Sequence, residues 1–268
     1  MTLLVPLAPN PNAPLARRNP VAKLAAAIIV MAGLLLTLDP VTPAVLLAIE
    51  LAAVPLTGVH WSVLARRTWP LLVGVAGVTL ANLLIVDSGD PRVLLAFGPF
   101  DVTVGAAEAA LAVSLRLLGI ALPGILVLAS TDPMDLADAL VQRWRVPARF
   151  AYGALAALRL LPQLAGDWHQ IGRARRARGI EAGRSPVARV RLFFSRVLAV
   201  LVAAIRRAVR LATAMEARGF DAGVPRTVAR PQPMRAADWG LVLAALAAVG
   251  VATAVAMAAG TWSLAFTS

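Results

Sequence analysis

The sequence contains no cysteine and only two histidines, His60 and His169, in 268 residues. Without cysteine the chain has no disulfide, no thiolate metal site, no iron–sulfur cluster and no thiol nucleophile. The two histidines lie far apart, and neither has a second histidine or a carboxylate at the spacing typical of metal ligands. The composition therefore predicts no metal centre and no bound cofactor.

Charged and aromatic residues are also scarce, at 15% and 5% of the chain. Hydrophobic residues make up 59% of it, and the mean hydropathy is +0.77. Such a chain is too apolar for an ordinary soluble domain. Several apolar stretches approach the roughly 20 residues that a helix needs to cross a bilayer. The composition therefore predicts a membrane protein built from helices.

Five apolar segments are predicted to cross the membrane, which makes the fold class an all-α integral membrane protein with about five transmembrane helices. The segments are residues 21–38, 41–57, 69–86, 105–130 and 240–259. Trp69, Trp239 and Trp262 stand near segment ends, as expected for rings at the lipid headgroups. Residues 1–20 hold five prolines and are expected to form an extended cytoplasmic tail ahead of a four-helix region, residues 21–130.

Basic residues near the segment ends predict the orientation, because lysine and arginine are retained on the cytoplasmic side. Arg17 and Arg18 precede the first segment, Arg66 and Arg67 lie between the second and third, and a long basic region follows the fourth. The other two connections are mainly acidic. This pattern predicts a cytoplasmic amino terminus and, after five crossings, an external carboxyl terminus in the plasma membrane of a bacterial-type cell.

Three ionisable residues, Glu50, Glu108 and Arg116, fall inside the predicted segments, where an unpaired charge is costly. Counted from the outer ends of segments two and four, Glu50 and Arg116 lie at similar depth. One hypothesis is a buried ion pair between them. The alternative is that Arg116 faces a partner subunit or a water-filled cavity.

Residues 131–236 are predicted to form a cytoplasmic helical region ahead of a final membrane helix in residues 237–268. Nineteen basic residues lie between Arg143 and Arg235 against four acidic ones, a net charge of +15. Apolar residues interleave with them at helical spacing, which is typical of amphipathic helices at a membrane surface rather than of a groove for nucleic acid. Helices are predicted from Pro133 to Pro147, over residues 148–178 with Pro162 as a kink or break, and over residues 186–218.

The last of these helices is amphipathic. Arg189, Arg196 and Arg207 fall within about 20° of one another at about 100° per residue. A separate apolar face consists of Val190, Phe193, Val197, Leu201, Ile205 and Val209. Such a helix either lies on the inner leaflet with its arginines reaching the headgroups or packs against the membrane helices.

Both long helices end in one pattern, Ala-Arg-Gly-apolar-acid-Ala-Gly, repeated after 40 residues. The copies contain Ala177, Arg178, Gly179 and Glu181, and Ala217, Arg218, Gly219 and Asp221. A helix cap explains one copy, since arginine in the last turn and glycine after it are both favourable. It does not explain why seven positions recur. Arginine presents a planar fork of donors to a partner's carboxylates or carbonyls, so two copies predict two equivalent receptors.

With these two motifs in a long cytoplasmic segment before the last membrane helix, the sequence resembles the T components of energy-coupling factor (ECF) transporters. That family includes the transmembrane subunits of biotin and cobalt importers. The resemblance covers nearly the whole chain, and residues 214–220 with Arg226 and Thr227 are especially similar to the family's second motif.

The resemblance implies a non-catalytic scaffold that docks two ATP-binding-cassette (ABC) ATPases through Arg178 and Arg218, with Glu181 and Asp221 in support. A separate small membrane subunit would capture a vitamin or a transition metal. Closure of the ATPases would then move the coupling helices and reorient that subunit. The implied partners are thus two ATPases, a substrate-binding subunit and the lipid bilayer, and no nucleic acid.

Four other functions remain to be compared with this one. The chain has no G-x-x-x-x-G-K-[ST] phosphate loop, so it is not the ATPase itself. The permease of another ABC importer uses a single Glu-Ala-Ala loop, which Glu181-Ala182-Gly183 matches only in part. An autonomous secondary transporter predicts interrupted helices in matching halves, which the sequence lacks. A scaffold for anionic lipid fits the basic region but leaves the repeated motif without a role.

Overall fold

The structure, a computed structural model, describes residues 13–85, 92–97, 100–183, 185–220, 228 and 230–262. The helices are α1 Pro20–Leu36, α2 Val41–Ala53, α3 Trp61–Ile85, α4 Val104–Ser130, α5 Pro133–Arg143, α6 Ala148–Ala177, α7 Pro186–Ala217 and α8 Ala236–Ala258. A short 3₁₀ helix, Val54–Thr57, continues α2. The predicted all-α class is confirmed.

Between α3 and α4 lies a small antiparallel hairpin that the sequence analysis did not predict. Its strands are β1, Val93–Phe97, and β2, Phe100–Thr103. Within the described ranges it is the one sheet. Thr103 ends the hairpin and also caps α4, since its hydroxyl accepts a hydrogen bond from the Ala106 N–H at 3.2 Å.

The helix starts carry the local signals that favour them. At the start of α1, the Asn19 side chain accepts from the Val21 N–H at 2.9 Å and Pro20 occupies the first helical position. At the start of α7, the Ser185 hydroxyl accepts from the Ala188 N–H at 3.3 Å, again followed by proline. These caps place the helix starts within a residue or two of the predicted ones.

Three helices are long and apolar enough to cross a bilayer: α3 with 25 residues, α4 with 27 and α8 with 23. Two further apolar stretches, Pro20–Leu36 and Val41–Thr57, are shorter. At 1.5 Å per residue, 17 residues of α1 extend roughly 26 Å, slightly less than a hydrocarbon core of about 30 Å. Five crossings therefore remain a prediction, with three of them supported by helix length.

Two local predictions differ from the structure. Residues 13–18 form a turn, held by hydrogen bonds such as Leu15 N–H to the Leu56 carbonyl at 3.0 Å, rather than an extended tail. Residues 1–12 lie outside the described part. Helix α6 continues through Pro162, so of the predicted kink or break the break is absent.

The described residues fall into two compact units, one formed by residues 140–231 and the other by the remainder. In the larger unit, α1 packs against α8, α4 and α2 around a core of small and branched residues. This core contains Ala26, Val30, Leu34, Leu46, Ala245 and Ala252. A second cluster joins the end of α2 and the start of α3 to α4, and contains Val54, Val59, Leu64, Leu122, Leu126 and Ala129. Small residues let these helix backbones approach closely.

Candidate coupling site

The two Ala-Arg-Gly motifs adopt one and the same helix cap. Arg178 ends α6 with φ −93° and ψ 9°, and Arg218 ends α7 with φ −90° and ψ 8°. The glycine that follows each arginine is left-handed, with φ of 71° at Gly179 and 75° at Gly219. A side chain at either glycine would disfavour this conformation, which explains why glycine stands there.

Hydrogen bonds complete the equivalence of the two caps. After α6, the N–H of Gly179 donates to the Arg176 carbonyl at 2.9 Å and the N–H of Ile180 to the Arg175 carbonyl at 3.0 Å. After α7, the corresponding pairs measure 2.8 Å and 3.0 Å, the second from Phe220. Both ends are Schellman motifs. The cap interpretation thus applies to both copies, and it leaves the arginine side chains without a role in the cap.

The guanidinium groups at the two tips are free to bind a partner. Arg178 and Arg218 are exposed, and neither side chain has a hydrogen-bond or ion-pair partner in the described part of the chain. Glu181 is likewise exposed, whereas Asp221 lies outside the described residues. The structure therefore describes three of the four polar side chains that the sequence analysis assigned to the motifs.

Helices α6 and α7 are joined by an ion pair that the sequence analysis did not single out. The Arg207 guanidinium donates to both carboxylate oxygens of Asp167, at 2.5 Å and 3.0 Å. Hydrogen bonding to Arg207 holds the pKa of Asp167 below its usual range, and Asp167 in turn raises the pKa of Arg207. Both side chains are partly exposed, at 18% and 32%, so solvent screens the pair.

This ion pair occupies equivalent positions of the two motif-bearing segments. Asp167 and Arg207 are 40 residues apart, as are Arg178 and Arg218. Each tip arginine follows its member of the pair by eleven residues, about 16 Å along a helix axis. The pair therefore lies midway between the two tips. The spacing was visible in the sequence, where residues of opposite charge stand at the same distance before the two motifs.

Further contacts between α6 and α7 lie between this ion pair and the carboxyl-terminal end of α6. The Arg196 guanidinium lies over the Trp168 ring, 4.9 Å from its centre. A Cβ at Gly172 would come within 2.9 Å of that guanidinium, so glycine leaves the space that it occupies. Arg175 donates to the Ser195 hydroxyl at 2.9 Å and to the Leu192 carbonyl at 3.2 Å. Together these contacts hold the helix pair in one geometry.

The basic side of α7 thus faces α6. Of the three arginines predicted to share that side, Arg196 and Arg207 contact α6 instead of reaching lipid headgroups, while Arg189 is exposed. The apolar side is largely exposed: its six predicted residues are between 37% exposed at Val197 and 59% exposed at Val209, although the Phe193 ring contacts the Trp168 ring of α6 edge to face, with 5.5 Å between the ring centres. Helix α7 has no buried residue. Its apolar face is therefore available to a partner or to lipid.

The predicted ion pair between Glu50 and Arg116 is wrong. The Arg116 guanidinium donates to the Thr37 carbonyl at the end of α1, and neither Glu50 carboxylate oxygen has a hydrogen-bond partner among the described residues. Val54 and Leu126 belong to one hydrophobic cluster; Glu50 precedes Val54 by about one helical turn, whereas Arg116 precedes Leu126 by about three. Counting from the outer ends failed because α4 begins farther out than α2.

Sequence comparison decides between the families that such an architecture allows. The profile of the CbiQ family, described as a cobalt transport protein, matches residues 11–229. The chain belongs to this family. Proteins similar to the chain carry the name energy-coupling factor transporter transmembrane protein EcfT.

The chain is 33% identical to the EcfT of Exiguobacterium sibiricum over 182 residues, which cover 65% of the chain and 68% of the relative. It is 32% identical to that of Limosilactobacillus fermentum over 211 residues, 76% of each protein. It is 31% identical to that of Heliobacterium modesticaldum over 246 residues, 87% of the chain and 90% of the relative.

Membership of the CbiQ family confirms the resemblance drawn from the repeated motif. The chain is the transmembrane component of an ECF transporter, a multi-pass membrane protein without catalytic activity of its own. Within the described residues no three His, Asp or Glu side chains are grouped as metal ligands would be.

Proposed function

We propose that Arg178 and Arg218 dock two ABC ATPase subunits, one at each tip, and that α6 and α7 carry the ATP-driven movement to a separate membrane subunit that binds the cargo. One observation carries this proposal: both helices end in the same cap, and both caps leave an arginine exposed and unpaired in the described chain. A guanidinium so placed offers five donors to carboxylates or carbonyls in a receptor groove. Glu181 and Asp221 would bind donors at the rim of the same grooves.

The contacts between α6 and α7 support a single moving element. With Asp167 paired to Arg207 and Arg196 stacked on Trp168, the two tips are joined through one packed region rather than through a flexible loop. A change in the distance between two docked ATPases would then act on both helices together. Because the ion pair lies midway between the tips, opposed sideways movements of the two tips would pivot the helices about it.

The exposed apolar face of α7 is the proposed contact for the substrate-binding subunit. The face from Val190 to Val209 is apolar and largely exposed, as expected of a helix surface that receives a membrane partner. Cargo selection then belongs to that partner, with vitamins and transition metals as the candidate classes. The proposed organisation is a tail of residues 1–20, membrane regions 21–130 and 237–268, and a cytoplasmic coupling region 131–236.

The proposed orientation follows from the charges. A cytoplasmic amino terminus and coupling region place the +15 net charge of residues 143–235 against the inner leaflet and the ATPases. An odd number of crossings then places the carboxyl terminus outside. Cysteine accessibility tests both points, because a single cysteine at Arg173 should react only with reagents that enter the cell, and one at Ser268 with reagents that do not.

Docking is tested by co-expressing the chain with candidate ATPases and purifying the complex in detergent. Arg178→Ala and Arg218→Ala are each expected to weaken association about tenfold or more, since truncating a charged hydrogen-bonding partner typically costs a few kcal/mol. The double variant should lose both ATPases and cargo uptake. Arg173→Ala, another exposed arginine of α6, is the matched control and should bind normally.

Two results would contradict the docking proposal. The first is a wild-type chain that transports cargo without any ATPase. The second is a double variant that retains both ATPases and full uptake, which would leave the motifs as helix caps only.

A further inference from the structure

Arg145, in the turn between α5 and α6, has a left-handed backbone, with φ of 53°. It is the one residue other than glycine with a positive φ in the described part of the chain. Where other helices end in this conformation, the left-handed residue is Gly58, Gly179, Gly219 or Gly260. Glycine adopts this backbone without the steric cost that a Cβ carries. An arginine is therefore present at position 145 in spite of a conformational cost, which indicates that its side chain has a role.

The turn itself does not require the arginine side chain. The Val146 N–H closes the turn by donating to the Leu140 carbonyl at 3.3 Å, and a glycine at position 145 would leave this bond in place. The Arg145 guanidinium is exposed, and it takes part in no hydrogen bond or ion pair within the described ranges. Its five donors are therefore available to a partner.

Arg145 belongs to an exposed patch of arginines and aromatic rings, which we name the basic turn. The basic turn consists of Trp144, Arg145, Arg149 and Phe150, and all four side chains are exposed, Trp144 at 45% and Phe150 at 62%. The Arg149 guanidinium lies over the Phe150 ring, 5.1 Å from its centre. Residues 139–166 contain four arginines and no acidic residue. The basic turn thus combines positive charge with exposed rings.

We propose that the basic turn binds an anionic phospholipid of the inner leaflet. Arg145 and Arg149 contact the headgroup phosphate, and the rings of Trp144 and Phe150 lie against the glycerol and the upper acyl carbons. Arginine forms paired, charge-assisted hydrogen bonds with phosphate oxygens. Exposed tryptophan and phenylalanine beside basic residues are typical of protein surfaces at the level of the lipid headgroups. The patch therefore matches both parts of such a lipid.

The chain keeps the basic turn close to a membrane helix. Two residues join α4 to α5, and α5 has eleven residues, so at most about 30 Å of chain separates Ser130 from Arg145. Arg149 and Arg178 stand at opposite ends of α6, about 44 Å apart along the helix. An ATPase docked at Arg178 is thus remote from the basic turn, which favours the membrane surface as the anionic partner. This step rests on the proposed function.

Binding is tested with the purified full-length chain in detergent, without ATPases, by native mass spectrometry of the lipid-bound chain. The wild type should bind dioleoylphosphatidylglycerol, which is anionic, more tightly than dioleoylphosphatidylcholine, which is neutral overall. Arg145→Gly and Arg149→Gln should each weaken phosphatidylglycerol binding about fivefold, which corresponds to about 1 kcal/mol per arginine. Phosphatidylcholine binding should change much less, because its choline group offsets most of the attraction to arginine.

An exposed arginine elsewhere on α6 provides the matched control. Arg173→Gln removes the same charge about 36 Å along the helix from Arg149, and it should bind both lipids as the wild type does. Arg145→Gly also separates lipid binding from folding. Glycine relieves the left-handed backbone, so this variant should melt at or above the temperature of the wild type while its preference for phosphatidylglycerol falls.

A competition experiment distinguishes a lipid from a free anion. Millimolar inorganic phosphate should not displace phosphatidylglycerol, because phosphate lacks the carbon chains that Trp144 and Phe150 contact. Displacement by phosphate would overturn the lipid proposal in favour of a site for small anions.

Three further results would overturn the proposal. The first is equal binding of the two lipids by the wild type, and the second is unchanged phosphatidylglycerol binding in both variants. The third is loss of ATPase association in Arg145→Gly with lipid binding intact, which would make the basic turn a protein contact. The lipid measurements contain no ATPase, so their failure is distinguishable from a failure of docking at Arg178 and Arg218.

Discussion

Replacing Gly33 with alanine probes a close approach between two membrane helices, α1 and α8. Gly33 of α1 faces Val249 of α8, and a Cβ at position 33 would lie 2.7 Å from one Val249 methyl carbon and 3.0 Å from the other. Valine has one strongly preferred rotamer in a helix, so its methyl groups cannot easily rotate away. The added methyl must therefore push α1 and α8 apart or strain Val249.

Two opposing terms determine the size of the effect. Overpacking a filled core typically costs about 1–3 kcal/mol, whereas alanine favours a helix over glycine by about 1 kcal/mol. The net expectation is roughly 0–2 kcal/mol of destabilisation. Gly74→Ala in α3 measures the helix preference of alanine over glycine alone, because a Cβ at position 74 would meet nothing within 4 Å. Gly74→Ala should therefore be neutral or stabilising, and the two variants should differ by about 1–3 kcal/mol.

The measurement is the midpoint of thermal unfolding of each purified variant in the same detergent. Gly33→Ala should melt below Gly74→Ala, and the second substitution Val249→Ala should restore much of the loss, since it removes both methyl carbons that clash. The reasoning is refuted if Gly33→Ala melts as high as Gly74→Ala. It is also refuted if Val249→Ala adds its own full cost with no recovery, because contacting residues should couple.

The remaining predictions concern the coupling helices. Gly179→Ala and Gly219→Ala each place a Cβ at a left-handed residue, which costs about 1–2 kcal/mol. The rate of hydrogen exchange at the following amide should therefore rise similarly in both variants. A rise in one variant alone would contradict the equivalence of the two caps. Asp167 should keep its ion pair through its ordinary pKa of about 3.9 and lose it only in stronger acid, because Arg207 holds the pKa of Asp167 low. Carboxyl titration by NMR measures this pKa, and a value at or above the ordinary one would refute the pair. Charge reversal at both positions should restore uptake lost in Asp167→Arg alone.

Local signals were enough to predict most of the helices. Proline at the first position of α5 and α7 marks these helix starts, and the glycines of the two motifs mark the ends of α6 and α7. Pro20, which was assigned to the tail, is instead the first residue of α1. Such signals act within one or two turns, and their physical basis is present in the sequence itself. The hairpin β1–β2 was missed because two strands of five and four residues are too short for a clear alternating pattern.

Contacts between helices were predicted less well. The sequence placed Glu50 and Arg116 at similar depth, but relative depth depends on where α2 and α4 begin and on how they pack. The stacking of Arg196 on Trp168 was not predicted either, because it too depends on how two helices pack. Periodicity assigned Arg196 to a basic face of α7 but could not reveal that α6 covers that face.

The sequence by itself determined the class of protein, the membrane helices and the duplicated tip, because hydropathy, capping residues and a repeated motif are properties of neighbouring residues. Only the tertiary structure decided that Asp167 pairs with Arg207 midway between the tips and that the carboxylate oxygens of Glu50 are buried without a hydrogen-bond partner among the described residues. Both depend on the register of one helix against another. Register is set by side-chain packing summed over whole interfaces such as α1 with α8, where Gly33 meets Val249.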